Sequence, residues 1–192
     1  MPLSSPPLQV DYRHRRIIVC GDIDNPMCAH MMRALLSMDD DANALIEVVL
    51  SSDGGLLDPA LAVTHVMRSL HSPIRTFAAG FVGSSATLWL AAGDQGQRYL
   101  AKRAALLIHA QSAGFEGTPT DAKDFAEQMR RTRDIMGQTY AELSGQKVET
   151  FRKYLDGDDH RLTAKRALQL GLVDKLISHR RDMTPSPAPE TA

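Results

Sequence analysis

Residues 45–70, LIEVVLSSDGGLLDPALAVTHVMRSL, decide the fold. Leu45–Leu50 is an apolar run rich in β-branched residues and reads as a strand that ends in Ser51-Ser52-Asp53-Gly54-Gly55. Asp58-Pro59 then supplies a capping side chain and a first-turn proline, which opens a helix to about Leu70. The same strand–turn–helix unit flanks this one on both sides. Upstream, Ile17–Cys20 is a strand closed by Gly21, and Asn25-Pro26 caps and starts a helix to about Met38. Downstream, Ile74–Ala79 is a strand, and Ser84–Ala92 is a short apolar helix that Gly93 stops. Arg98–Leu100 and Ala105–Ile108 are short strands around the Lys102-Arg103 turn. Thr163–Leu170 is a last helix, capped by Gly171, and Leu172–Ile177 a last strand. Strands alternating with helices imply parallel pairing through right-handed crossovers, hence an α/β fold.

One segment breaks the alternation. Thr120 to about Leu143 reads as a long, charge-rich helix with Phe125, Met129, Thr132, Met136 and Tyr140 at spacings of three or four. That apolar stripe is narrow for so many charges. It suits a helix that leaves the body and packs on a partner, although an ordinary surface helix has the same pattern. Residues 1–14 are expected to be loose, residues 15–178 to form one domain, and residues 179–192, with three prolines and little apolar content, to be disordered.

The 192 residues are 43% hydrophobic, enough for a buried core. A formal net charge of −1 argues against a general electrostatic binder of nucleic acid. No apolar run reaches the roughly 18 residues of a membrane span. Cys20 and Cys28 fit no disulfide framework, which sets the expectation of a reducing, cytoplasmic compartment. The seven histidines form no ligand pair at metal-binding spacing, so no metal site is expected.

Four segments carry residues capable of chemistry. In Gly80-Phe81-Val82-Gly83-Ser84-Ser85-Ala86 a strand runs into a glycine-flanked turn, and a helix begins at a serine. Unpaired N–H groups and the helix dipole favour negative charge there, as an acyl-transfer nucleophile requires, though serine is also an ordinary helix cap. The glycines of Ser52-Asp53-Gly54-Gly55 can leave backbone N–H groups free to bind an oxyanion, or can simply make a turn. His109 ends the apolar strand Ala105–Ile108, from which its ring can reach a neighbouring cleft. Asp156-Gly157-Asp158-Asp159 supplies carboxylates able to orient an imidazole, or a solvated turn. Together they provide a nucleophile, a base, an orienting carboxylate and backbone donors, in the order Ser–His–Asp.

These segments, in this order and spacing, resemble the ClpP family, the proteolytic subunits of the Clp protease, from about Ile17 to Ile177. The Gly-Gly segment matches at Ser51–Gly55, and the nucleophile segment at Gly80–Gly93, which ends Leu90-Ala91-Ala92-Gly93. The base motif falls on Leu107-Ile108-His109-Ala110, with Gly114-Phe115-Glu116-Gly117-Thr118-Pro119-Thr120-Asp121 after it. Asp159 through Ala164 and Gly171–Asp174 match the family's closing motifs. The resemblance implies a ClpP/crotonase-like fold with a protruding handle helix over about 120–143. It implies a serine endopeptidase that cuts unfolded polypeptides into short peptides. Ser84 rather than Ser85 would be the nucleophile, His109 the base and Asp159 the orienting carboxylate, with Asp158 as the alternative. Gly55 and Ser85 would donate the oxyanion-hole amides. Substrate would lie extended along Gly54 and Leu56 on one side and Gly114 on the other. Subunits would stack as two heptameric rings, a tetradecamer fed by an AAA+ unfoldase that uses the ATP. The subunit itself would need no cofactor, since it has no phosphate-binding loop of the Gly-x-x-x-x-Gly-Lys-Ser/Thr type.

The chain also departs from the family pattern. Asp53 replaces a proline and brings a charge to the cleft, Ala86 replaces a glycine beside the nucleophile, and Asp158 replaces an arginine that pairs across the rings. Two other functions compete. One is a structural ring subunit with weak or no peptidase activity, which would usually lack members of the Ser–His–Asp set. The other is a crotonase-type acyl-CoA enzyme, which would leave the joint presence of Ser84, His109 and Asp159 unexplained.

Overall fold

The computed structural model describes residues 7–40, 44–111, 114 and 116–183. The strands are β1 (Leu8–Asp11), β2 (Arg16–Val19), β3 (Ile46–Ser52), β4 (Ile74–Gly83), β5 (Arg98–Ala101), β6 (Ala105–Ile108), β7 (His160–Thr163) and β8 (Lys175–Ile177). The helices are α1 (Asn25–Met38), α2 (Leu57–Ser69), α3 (Ala86–Ala91), α4 (Pro119–Ser144), α5 (Val148–Leu155) and α6 (Ala164–Gln169), and a 3-10 turn covers Arg180–Asp182. The strands form one sheet in the order β1-β2-β3-β4-β5-β8, with β6 branching from β4 and β7 paired to β6. The pairs from β2 through β5 to β8 are parallel, as the alternation implied, and so is β4 with β6; β1–β2 and β6–β7 are antiparallel.

The branch at β4 positions the site. Thr76–Ala78 pair with β5, whereas Phe81–Gly83 pair with β6. Against β3 the register jumps from Leu50 opposite Ala78 to Ser52 opposite Val82, so β4 carries extra residues in between. Such a bulge bends the strand and re-aims its C-terminal end. The end of β4 thereby leaves β5, joins β6, and delivers Ser84 to the C-terminal end of the parallel strands.

One face of the sheet carries the main core. Ile17, Val19, Val48, Leu50, Ala78 and Leu100 are buried with Met27, Met31 and Leu35 of α1, Ala60 and Val63 of α2, and Trp89 of α3. The indole N–H of Trp89 donates to the Ala60 carbonyl at 2.9 Å, so this buried polar group is satisfied. Alternate strand positions face the other way. There Tyr99, Ile177 and Met183 form a smaller cluster backed by Phe77. The buried Glu47 is paired with Arg16 at 2.6 Å and with Arg180 of the 3-10 turn.

Several boundaries differ from expectation. Leu8–Asp11, within the segment expected to be loose, pairs with β2 residue for residue. Asp24, not Asn25, caps α1 by accepting from the Met27 amide at 2.7 Å. No side chain caps α2, which starts after Leu56. α5 and β7 lie where the sequence pattern marks no element, and β8 is shorter than the strand expected from Leu172. Residues 184–192 of the expected tail lie outside the described residues; Met183 just before them is buried. No helix among the described residues is long and apolar enough to cross a membrane.

Candidate active site

Ser84 directly follows β4, and His109 directly follows β6. Parallel pairing sets Gly83 opposite Leu107, and the Ser84 amide donates to the Leu107 carbonyl at 2.8 Å. The two side chains therefore leave adjacent strand ends, and both line one cleft of about 330 Å³ with Asp53, Gly55, Leu56, Leu57, Gln111 and Met136. The antiparallel register of β6 with β7 sets Ile108 opposite His160. One step further brings Asp159 to His109, with Asp159 Oδ1 at 3.9 Å from His109 Nδ1. That separation is longer than a hydrogen bond. Asp159 is 72% exposed against 19% for His109, so water still competes for the carboxylate. Of the two adjacent aspartates, the contact is made by Asp159. The loop that bears it is tied to α4 by an Arg133–Asp156 ion pair at 2.6 Å.

Ser84 adopts a φ of 49°, in the left-handed region. For a side chain with a Cβ this costs about 1–2 kcal/mol. The bond to Leu107 and two bonds into the Ser84 carbonyl from Thr87, one of them from its amide at 3.0 Å, offset this. Each such bond contributes about 1 kcal/mol net. The conformation sets Ser84 at the C-terminal end of β4 before α3 begins. Among the described residues Ser84 Oγ makes no hydrogen bond, to His109 or otherwise. Ser85 is different. It is buried, occupies the cap position of α3, and donates its hydroxyl to the Gly55 carbonyl at 3.2 Å.

The diglycine turn passes so close that only glycine fits. A Cβ on Gly54 would lie 2.7 Å from both Ser84 Cβ and the Gly83 carbonyl oxygen, and its φ is +103°. A Cβ on Gly55 would lie 2.2 Å from the Ile23 carbonyl oxygen. Ile23 clamps the turn by donating to Gly54 O at 2.8 Å and accepting from the Leu56 amide at 2.7 Å. The Gly55 N–H is skipped by this ladder. Neither it nor the Ser85 N–H has an acceptor among the described residues, which leaves two amides beside Ser84 available to a ligand.

A family model described as Clp protease matches residues 7–180 of the 192-residue chain. The chain belongs to the Clp protease family. Its mixed α/β architecture is the ClpP fold, and membership supports a ClpP-type peptidase. The family works as oligomeric rings with AAA+ unfoldases.

Of the residues expected at the site, Ser84, His109, Gly55 and Leu56 line the cleft, Asp159 adjoins it through His109, and Gly54 and Ser85 back it. Gly114 does not line it. The substrate contact expected at Gly114 falls in a segment whose residues 112, 113 and 115 lie outside the described residues. Leu57, Gln111 and Met136 also line the cleft, and sequence reasoning misses all three. Met136 has a signal in the apolar stripe of α4, but nothing local marks the stripe as reaching the cleft.

Proposed function

We propose that this chain is the serine endopeptidase subunit of a self-compartmentalised Clp-type protease that cuts unfolded polypeptides into short peptides in the cytoplasm. The observation that carries this reading is the convergence of Ser84 and His109 on one cleft beside the unpaired Gly55 amide, with Asp159 across from the imidazole. In the proposed reaction His109 takes the Ser84 proton as Oγ attacks the scissile carbonyl carbon. The Gly55 and Ser85 N–H groups bind the oxygen as its negative charge develops. The imidazolium then returns the proton to the leaving amine, and a water repeats the sequence in reverse to release the acyl group. Asp159 holds the imidazole once the 3.9 Å gap closes; apo sites are often looser than the state that reacts. Leu56, 50% exposed, offers apolar surface to substrate.

Two stacked heptameric rings joined through α4 would enclose the cleft, and an AAA+ unfoldase would supply the unfolded chain and consume the ATP. The subunit's own chemistry draws on side chains and amides alone. A fluorophosphonate probe tests the reading on the assembled particle. Wild type is expected to label on Ser84, and Ser84→Ala to abolish labelling and peptide hydrolysis with mass and melting temperature unchanged. Labelling that persists in that variant, or that maps to Ser85, overturns the assignment. An assembled wild type that never labels supports the structural-subunit reading instead.

A further inference from the structure

Thr87 Oγ1 lies 2.6 Å from the Ser84 carbonyl oxygen and 2.6 Å from the Tyr140 hydroxyl. A carbonyl can only accept, so the single hydroxyl proton of Thr87 goes to Ser84, and Tyr140 donates to Thr87. Thr87 and Tyr140 are both 0% exposed. The Tyr140 ring is fixed by stacking on Phe151, centroid to centroid 5.1 Å. Burial pushes the Tyr140 hydroxyl up to about 12, so it stays a donor through the neutral range. The result is a dry two-hydroxyl relay that runs from α4 to the turn bearing Ser84.

The Ser84 carbonyl and the Ser85 N–H belong to the same planar trans peptide and point in opposite directions. Whatever holds the oxygen on the buried side aims the hydrogen the other way. We propose that Thr87 and Tyr140 are positioning residues that lock the Ser84–Ser85 peptide, so that the Ser85 amide stays directed at the developing oxyanion. This deepens the peptidase reading and, in its kinetic part, rests on it. The Thr87 amide also donates to the Ser84 carbonyl at 3.0 Å, so loss of the hydroxyl weakens the lock without removing it.

The test compares Thr87→Val, which keeps the shape and loses the proton, with Thr87→Ser, which keeps the proton, and with Tyr140→Phe. In the assembled particle Thr87→Val is expected to lower kcat about tenfold, less than the 10²–10³ for outright loss of an oxyanion donor, with KM unchanged. Thr87→Ser should restore kcat to within about threefold, and Tyr140→Phe should fall between. A Thr87→Val particle with wild-type kcat, or a loss that Thr87→Ser fails to rescue, overturns the proposal. A second readout does not depend on activity: the Ser85 amide NMR resonance and its exchange rate should change in Thr87→Val and Tyr140→Phe but not in Thr87→Ser. An unmoved Ser85 amide in both of those variants sinks the lock, whether or not the chain proves to be a peptidase. A shifted amide in a chain whose assembled wild type neither labels nor cleaves peptides sinks the peptidase reading alone.

Discussion

Among the described residues Asp53 is the one carboxylate that lines the cleft, and it is solvent-exposed with no ion-pair partner there. It also lines an adjoining hollow of about 190 Å³ together with Asp22 and Phe81; Arg161, the cation over the Phe81 ring at 5.3 Å, pairs with neither carboxylate. Uncompensated negative charge beside a peptide-binding groove favours substrates that bring a cation. Fluorogenic peptides with Lys or Arg near the scissile bond are therefore expected to show higher kcat/KM than matched Glu peptides. Asp53→Asn should cut that ratio about fivefold, and 1 M salt should erase most of it in wild type. An unchanged ratio in the variant would show that Asp53 does not read the substrate. At this scale the sequence is informative wherever a residue type has a local reason. Glycines before Ser84 and at the diglycine turn, and a histidine closing an apolar strand, are visible because short-range geometry demands them. The Thr87–Tyr140 bond is not, because its partners are 53 positions apart and either residue alone reads as core.

Among the elements, Arg98 on β5 joins more parts than any local pattern suggests. Its guanidinium donates to Asp174 at 2.6 and 3.0 Å and to the Leu143 carbonyl near the end of α4 at 2.7 Å. Burial alone would push the Asp174 carboxyl up, but the Arg98 side-chain and amide bonds and the Gly96 amide outweigh it and hold the pKa below the ordinary carboxylate value. A depressed carboxylate pKa contributes stability that is fully present above its unfolded value, about 3.9, and is lost as pH falls through the lower folded value. Asp174→Asn is expected to cost about 3 kcal/mol near neutral pH, because it leaves a nearly buried guanidinium without its charge partner. In denaturant melts the gap between wild type and variant should narrow as pH drops below about 4 and close once Asp174 is protonated. A gap that stays constant with pH would show that the pair contributes no linked protonation. The elements that sequence reading misses share a cause. β1 and β7 span four residues each and gain strand character only from the neighbour they pair with. α5 buries Phe151, Tyr154 and Leu155 on one face, but its eight residues are too few for a stable isolated helix, and its charged positions mask the stripe. The long parallel core strands and the helices between them are legible because their apolar periods are strong.

For the molecule as a whole, α4 is the outlying feature. Residues 120–131 bury no side chain, whereas Met136 and Tyr140 further along sit in the core. An arm of about 18 Å, at 1.5 Å per residue, therefore leaves the body with half-buried Phe125 and Met129 on it, and Ile135 near its base is 47% exposed. Polar-rich helices of this length gain most of their stability from their packing partners. Met129→Asp and Ile135→Asp are expected to convert a ring-sized particle into small species by analytical ultracentrifugation, with a melting temperature that no longer rises with protein concentration. A large particle that survives both substitutions would show that the arm is not the ring-to-ring contact. The Arg133–Asp156 pair lies between this arm and the loop of Asp159, so docking of the arm and the 3.9 Å gap at His109 are mechanically close. If copies of this chain assemble through the arm as proposed, a lone subunit would lack whatever the docked arm lends the Asp159 loop, and hydrolysis would wait on assembly.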